Sequence, residues 1–121
     1  MKFVLISKDP EIAAAAKEGF HPSDKFLAFE DWKVALENCK GTDLMFVDLI
    51  STLEQPHMIA GYEKFAIAKM DHKIAGPVPL VLISPPPEYE LDFMAGWPDF
   101  VLGHIQRPVP AKMFRRASTW V

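Results

Sequence analysis

The chain has 121 residues, half of them hydrophobic, enough for one ordinary domain (1–121) whose core needs neither disulfide nor metal. A formal charge of -3 argues against a nucleic-acid or anionic-membrane surface, and the single cysteine, Cys39, excludes an internal disulfide or a cysteine metal cluster, which fits a reducing cytoplasm. No apolar stretch reaches the roughly 18 residues that span a bilayer, and the amino terminus lacks a signal-peptide layout.

Residues 3–6 form a continuous apolar run that empties into Ser7, Lys8 and Asp9, the pattern of a strand buried on both faces. Asp9 as N-cap, Pro10 in the first turn and strong helix formers beyond predict a helix over 10–18, with Gly19 as its stop. A second apolar run at 25–29 is followed by apolar positions three and four apart over 31–38, with Asp31 near the start; this predicts a strand and then a helix. Residues 43–50, bounded by Gly41-Thr42 and Ser51-Thr52, predict the central buried strand, with one acid, Asp48, inside it. An unpaired buried carboxylate is costly, so Asp48 needs either a polar crevice or a cationic partner.

Residues 51–60 read as loop and 61–74 as a helix with Phe65, Ile67, Ala68 and Met70 near one face, ended by Gly76-Pro77. The run 79–84 predicts a fourth strand, stopped by Pro85-Pro86-Pro87, which can continue neither a ladder nor a helix. A helix over about 87–95, a fifth strand at 99–102 and a closing helix over 110–120 complete the pattern. Strands alternating with helices predict an α/β fold: a three-layer sandwich around a five-stranded parallel sheet, flavodoxin-like, with right-handed crossovers.

In such a sheet, chemistry gathers beyond the carboxyl ends of the strands. Those ends hold Ser7, Lys8 and Asp9, then Asp48, then Ser84, then Arg107-Pro108. This set and its order resemble the receiver domain of two-component response regulators over essentially the whole chain. The stretch 43–48 resembles the family's phosphoacceptor strand, ending on Asp48. The run 80–84 resembles the strand ending in its Ser or Thr switch residue, Gly96-Trp97-Pro98-Asp99-Phe100 resembles its Gly-x-x-Asp-Tyr segment, and Arg107-Pro108 sits at its Lys-Pro.

The resemblance implies a (βα)5 fold, a signalling role, and partners that are signalling proteins, a histidine kinase or an output protein, with a homodimer as a further form. It also implies an interface built from Phe93, Met94, Trp97 and Phe100 with Met113 and Phe114 of the last helix, whereas on amphipathic elements each of these residues taken singly reads as core. The departures are informative. The family holds Mg²⁺ with two acids at the end of strand one, and here Ser7 and Lys8 stand there. Residues 103–106 read as an insertion before Arg107, and arginine's planar fork is not equivalent to the family's lysine. The loop after Asp48 is longer than the family's, and Met58, Ile59 and Tyr62 read as a sticky lid if exposed or a cover for the site if buried.

The expectation is therefore a degenerate, stand-alone receiver that is not an enzyme and needs no cofactor, with Asp48 in an ion pair with Lys8 or Arg107, Lys8 being favoured. Two alternatives stay open: a working phosphoacceptor on Asp48, which would require Mg²⁺, and a flavodoxin-like small-molecule binder. The four histidines lie in separate segments without metal-ligand spacing, and no glycine-rich phosphate loop or nucleophile motif appears.

Overall fold

The computed structural model of the chain describes residues 1–92 and 101–121. Five strands, β1 (Lys2–Ile6), β2 (Lys25–Phe29), β3 (Leu44–Asp48), β4 (Leu80–Ile83) and β5 (Val101–Ile105), form one all-parallel sheet in the order β2-β1-β3-β4-β5. That order is the flavodoxin-like one, with β1 and β3 adjacent at the switch point. Four α-helices accompany it among the described residues: α1 (Pro10–Gly19), α2 (Trp32–Leu36), α3 (Ala60–Asp71) and α4 (Ala111–Ala117).

Strand periodicity divides the core in two. Val4, Ile6, Met45, Val47, Leu80 and Leu82 join Ala35, Leu36, Tyr62 and Phe65 of α2 and α3 in one cluster. Phe3, Leu5, Leu44, Phe46, Val81 and Ile83 join Ile12, Ala16, Phe114 and Ala117 of α1 and α4 in the other. Strands covered in this way read as unbroken apolar runs, which is why β1, β3 and β4 were legible without alternation.

Local chemistry sets the helix starts. Asp9 Oδ1 accepts from the Glu11 amide at 2.9 Å and Asp31 Oδ1 from the Lys33 amide at 2.9 Å, so both predicted caps form. Gly41, at φ 74°, supplies the left-handed turn before β3. Gly19 is the last residue of α1 rather than a stop beyond it. It lies directly under α4, where a Cβ would collide with the Ala111 carbonyl oxygen.

Several expectations are corrected. The central strand ends at Asp48, and Leu49–Thr52 turn as a 3₁₀ helix. Residues 87–92 form a turn and irregular chain instead of the start of a helix, and 93–95 lie outside the described residues. Residues 103–105, read as part of an insertion relative to the family's pattern, continue β5, which is longer than the expected 99–102; the register passes from Leu80 opposite Val101 to Val81 opposite Gly103, so Leu102 is the extra residue of a bulge. On α3 the buried row is Tyr62, Phe65, Ala66 and Lys69, whereas Ile67 and Met70 face solvent. The closing helix ends at Ala117, with a 3₁₀ turn, Ser118–Trp120, after it. No helix among the described residues is long and apolar enough to cross a membrane.

Candidate functional site

The carboxyl ends of β1, β3, β4 and β5 converge on Asp48. As the last residue of β3, opposite Ile83, it projects its side chain into the space bordered by the loops that follow these strands, and it is fully buried. Arg107, two residues beyond the end of β5, closes on it as a fork: Nη1 donates to Oδ1 at 2.7 Å and Nη2 to Oδ2 at 2.8 Å. Such bidentate geometry is the strong form of a charge-assisted hydrogen bond. Nη1 also donates to the Ser84 carbonyl at 3.3 Å, and Nη2 lies 3.8 Å from Asp9 Oδ2. Hydrogen bonding to Asp48 holds the guanidinium pKa above its ordinary value, so Arg107 stays charged.

Two hydroxyls complete the shell. Ser7 Oγ donates to Asp48 Oδ2 at 2.9 Å and accepts from the Asp9 amide at 3.1 Å. Ser51 Oγ donates to the same oxygen at 3.1 Å and accepts from the Lys8 amide at 2.9 Å. Each serine spends its one proton on the carboxylate and offers a lone pair to a backbone amide, so both hydroxyls are consistently oriented. Four donors converge on a group that, ionised, accepts only.

The expected contact from the Lys8 ammonium is replaced by the Arg107 fork. Successive residues leaving a strand point in opposite directions, so Ser7 turns inward and Lys8 outward, where it is exposed. Lys8 contributes its amide, through Ser51, and Asp9 serves mainly as the α1 cap. Ser84 takes part through its carbonyl oxygen. Ser51 was missed by sequence reasoning because its segment read as loop; the available signal was its position three residues after Asp48, one turn on.

The remaining candidates fall elsewhere. Phe114 is fully buried and packs edge-on against Phe46 and Phe20, with ring centroids 5.2 and 5.6 Å apart, so it is core and not interface. Met113 is partly buried against the same cluster. Phe93, Met94, Trp97 and Phe100 lie outside the described residues.

The long loop after Asp48 is anchored. The His57 amide donates to Tyr89 Oη at 3.0 Å, the Ile59 amide donates to Asp92 Oδ1 at 2.7 Å, and the His57 ring stacks on Tyr89 with centroids 4.4 Å apart. Ile59 and Tyr62 are buried in the core and Met58 stays exposed, so only Met58 keeps a lid-like character.

The sequence matches no protein-family model, and no curated protein aligns with it significantly. What the site can do therefore rests on its geometry.

The Mg²⁺ implied by the receiver resemblance does not fit these residues. The hydroxyl of Ser7 is committed to Asp48, Asp9 caps a helix, and a guanidinium occupies the position beside the Asp48 oxygens where a cation would have to bind. Among the described residues no three Asp, Glu, His or Cys side chains come together as a metal cluster. Beside Arg107 lies a cleft of about 520 Å³, walled by Asp9, Ile12, Pro87, Pro108 and Pro110 among others; Arg107 lines it and Asp48 does not.

Proposed function

We propose that the chain is a receiver-like signalling module of the cytoplasm that acts by binding another signalling protein, with its switch site fixed in one state, and that it is neither an enzyme nor a Mg²⁺-dependent phosphoacceptor. The observation that carries this reading is the saturated Asp48 carboxylate. A phosphoacceptor aspartate must present a free oxygen to the incoming phosphorus and have the developing charge neutralised by a metal. Here both oxygens are held by Arg107, and Ser7 and Ser51 share one of them. A permanent guanidinium takes the place of a cation that comes and goes, so the site keeps one charge state.

Incubation with acetyl phosphate and Mg²⁺, or with beryllofluoride and Mg²⁺, followed by intact-mass and fluorescence measurement, is expected to leave the protein unmodified. A mass gain of one phosphoryl group that disappears in Asp48→Asn would sink the reading and restore the phosphoacceptor one.

A second reading, a flavodoxin-like small-molecule binder, draws on the cleft of about 520 Å³ beside Arg107, a size that suits a small ligand. Native mass spectrometry of freshly purified protein separates the two: a bound small molecule supports the binder, and bare polypeptide counts against it.

A further inference from the structure

The guanidinium of Arg107 has a second edge that the Asp48 pair does not use. Of its five N–H donors, three are spent inside the protein: one from each terminal nitrogen on Asp48, and the other Nη1 proton on the Ser84 carbonyl. The Nε proton and the second Nη2 proton lie side by side on the adjoining edge of the plane. They donate to no acceptor among the described residues, since Asp9 Oδ2, 3.8 Å from Nη2, is beyond hydrogen-bond reach. Two such parallel donors form a fork that takes a carboxylate. Arg107 and Asp9 both line the cleft of about 520 Å³ bounded by the start of α1, the segment after β4 and the chain leading into α4, so a ligand in the cleft can reach this edge.

The charges of the cleft select the kind of carboxylate. Arg107 is balanced by Asp48, and the other charged residues lining the cleft, among the described residues, are Asp9 and Glu11. Asp9 spends Oδ1 on the Glu11 amide and keeps Oδ2 open, and Glu11 is exposed. A bare carboxylate on the fork would meet these two acids as like charges. An ammonium beside the carboxylate turns that repulsion into attraction and brings no net charge into the cleft. At 3.8 Å, the Asp9 oxygen and the Arg107 nitrogen are close enough for groups carried on a single carbon atom to meet both. The remaining wall, with Ile12, Pro87, Val109 and Pro110, is apolar and suits an apolar side chain.

We propose that the cleft beside Arg107 binds a free α-amino acid with an apolar side chain. Its carboxylate lies on the Nε–Nη2 edge of Arg107, its ammonium on Asp9 and Glu11, and its side chain against Ile12, Val109 and the prolines. This deepens the small-molecule reading and rests on it. Asp48 keeps all its bonds, so the fixed state of the switch site is a separate matter.

An amide NMR titration of the full chain tests it with three probes of one shape: L-phenylalanine, phenethylamine, which lacks the carboxylate, and hydrocinnamate, which lacks the ammonium. L-Phenylalanine is expected to bind with a Kd on the order of 1 mM or tighter, shifting amides at 11–12 and 107–109. Each of the other two is expected to bind at least about tenfold more weakly. Asp9→Asn, which keeps a capping side chain, and Glu11→Gln are each expected to weaken phenylalanine and tighten hydrocinnamate, because the same acid attracts an ammonium and repels a lone carboxylate. A general loosening of the fold would weaken both ligands, so the opposite signs carry the test. Equal affinities for the three probes, or variants that move both ligands in the same direction, would overturn the proposal. So would phenylalanine that shifts no cleft amide at about 20 mM. In that last case another small molecule found by native mass spectrometry of freshly purified protein leaves the small-molecule reading standing without the amino acid, and bare polypeptide removes both.

Discussion

The Arg107 guanidinium and the Asp48 carboxylate, 59 residues apart in the chain, meet as a planar fork on a planar acceptor at 2.7 and 2.8 Å. The acid is fully buried and the base 15% exposed, so the two partners are not equivalent. Removing the base strands a buried charge, whereas removing the acid leaves a cation that can still turn toward Asp9 and solvent.

Arg107→Met is therefore expected to cost about 3–5 kcal/mol in urea unfolding, and Asp48→Asn distinctly less. The double variant Asp48→Asn/Arg107→Met is expected to recover much of the Arg107→Met loss, because the stranded charge is gone. A loss under about 1 kcal/mol for Arg107→Met would show that the pair does not hold the site together.

Phe114 separates core from interface. Truncating a fully buried aromatic that contacts two other rings is expected to cost about 3–5 kcal/mol for Phe114→Ala. Met113→Ala, at a partly buried position, is expected to cost less. Equal and small losses in thermal or urea unfolding would return Phe114 to the surface role that the receiver resemblance implied.

Gly19 is needed for a close approach. Since a Cβ there would strike the Ala111 carbonyl oxygen, backbone against backbone, Gly19→Ala must push α4 away from α1. The expected loss is about 1–3 kcal/mol, although alanine is the better helix former. A stabilised variant in the same unfolding measurement would mean that α1 and α4 are not so closely apposed.

Tyr62 predicts a pH dependence. Its hydroxyl is buried with no hydrogen-bond partner among the described residues, and burial pushes its pKa from 10.0 up to about 12. Folding favours the neutral phenol, so the stability this confers is intact below pH 10 and is lost as pH rises through the folded-state value near 12. The loss should amount to about 2–3 kcal/mol, and Tyr62→Phe should remove it. At neutral pH the variant is expected to be no less stable than wild type, because a phenylalanine leaves no polar atom unsatisfied. Urea midpoints between pH 9 and 12 that fall equally in both proteins would refute the assignment.

Much of the fold was legible in the sequence. The apolar runs of β1, β3 and β4, the caps Asp9 and Asp31, and the turn chemistry around Gly41 act over a few residues, so local physics sets them. The α/β class and the place of Asp48 at a strand end follow from the same local signals. The boundaries that failed were those where a contact distant in sequence intervened: the bulge at Leu102 depends on the register of β5 against β4, and the choice of buried face on α3 depends on where the sheet lies.

The candidate site divides in the same way. By itself the sequence determined that Asp48 would be buried near the end of the central strand and would need a polar crevice or a cationic partner, because an apolar run leaves a carboxylate no other neighbour. Only the tertiary structure decided which cation and which hydroxyls. Strand parity turned Ser7 inward and Lys8 outward, the 3₁₀ turn brought Ser51 back onto Asp48, and the extended β5 carried Arg107 far enough for both of its donors to reach both carboxylate oxygens.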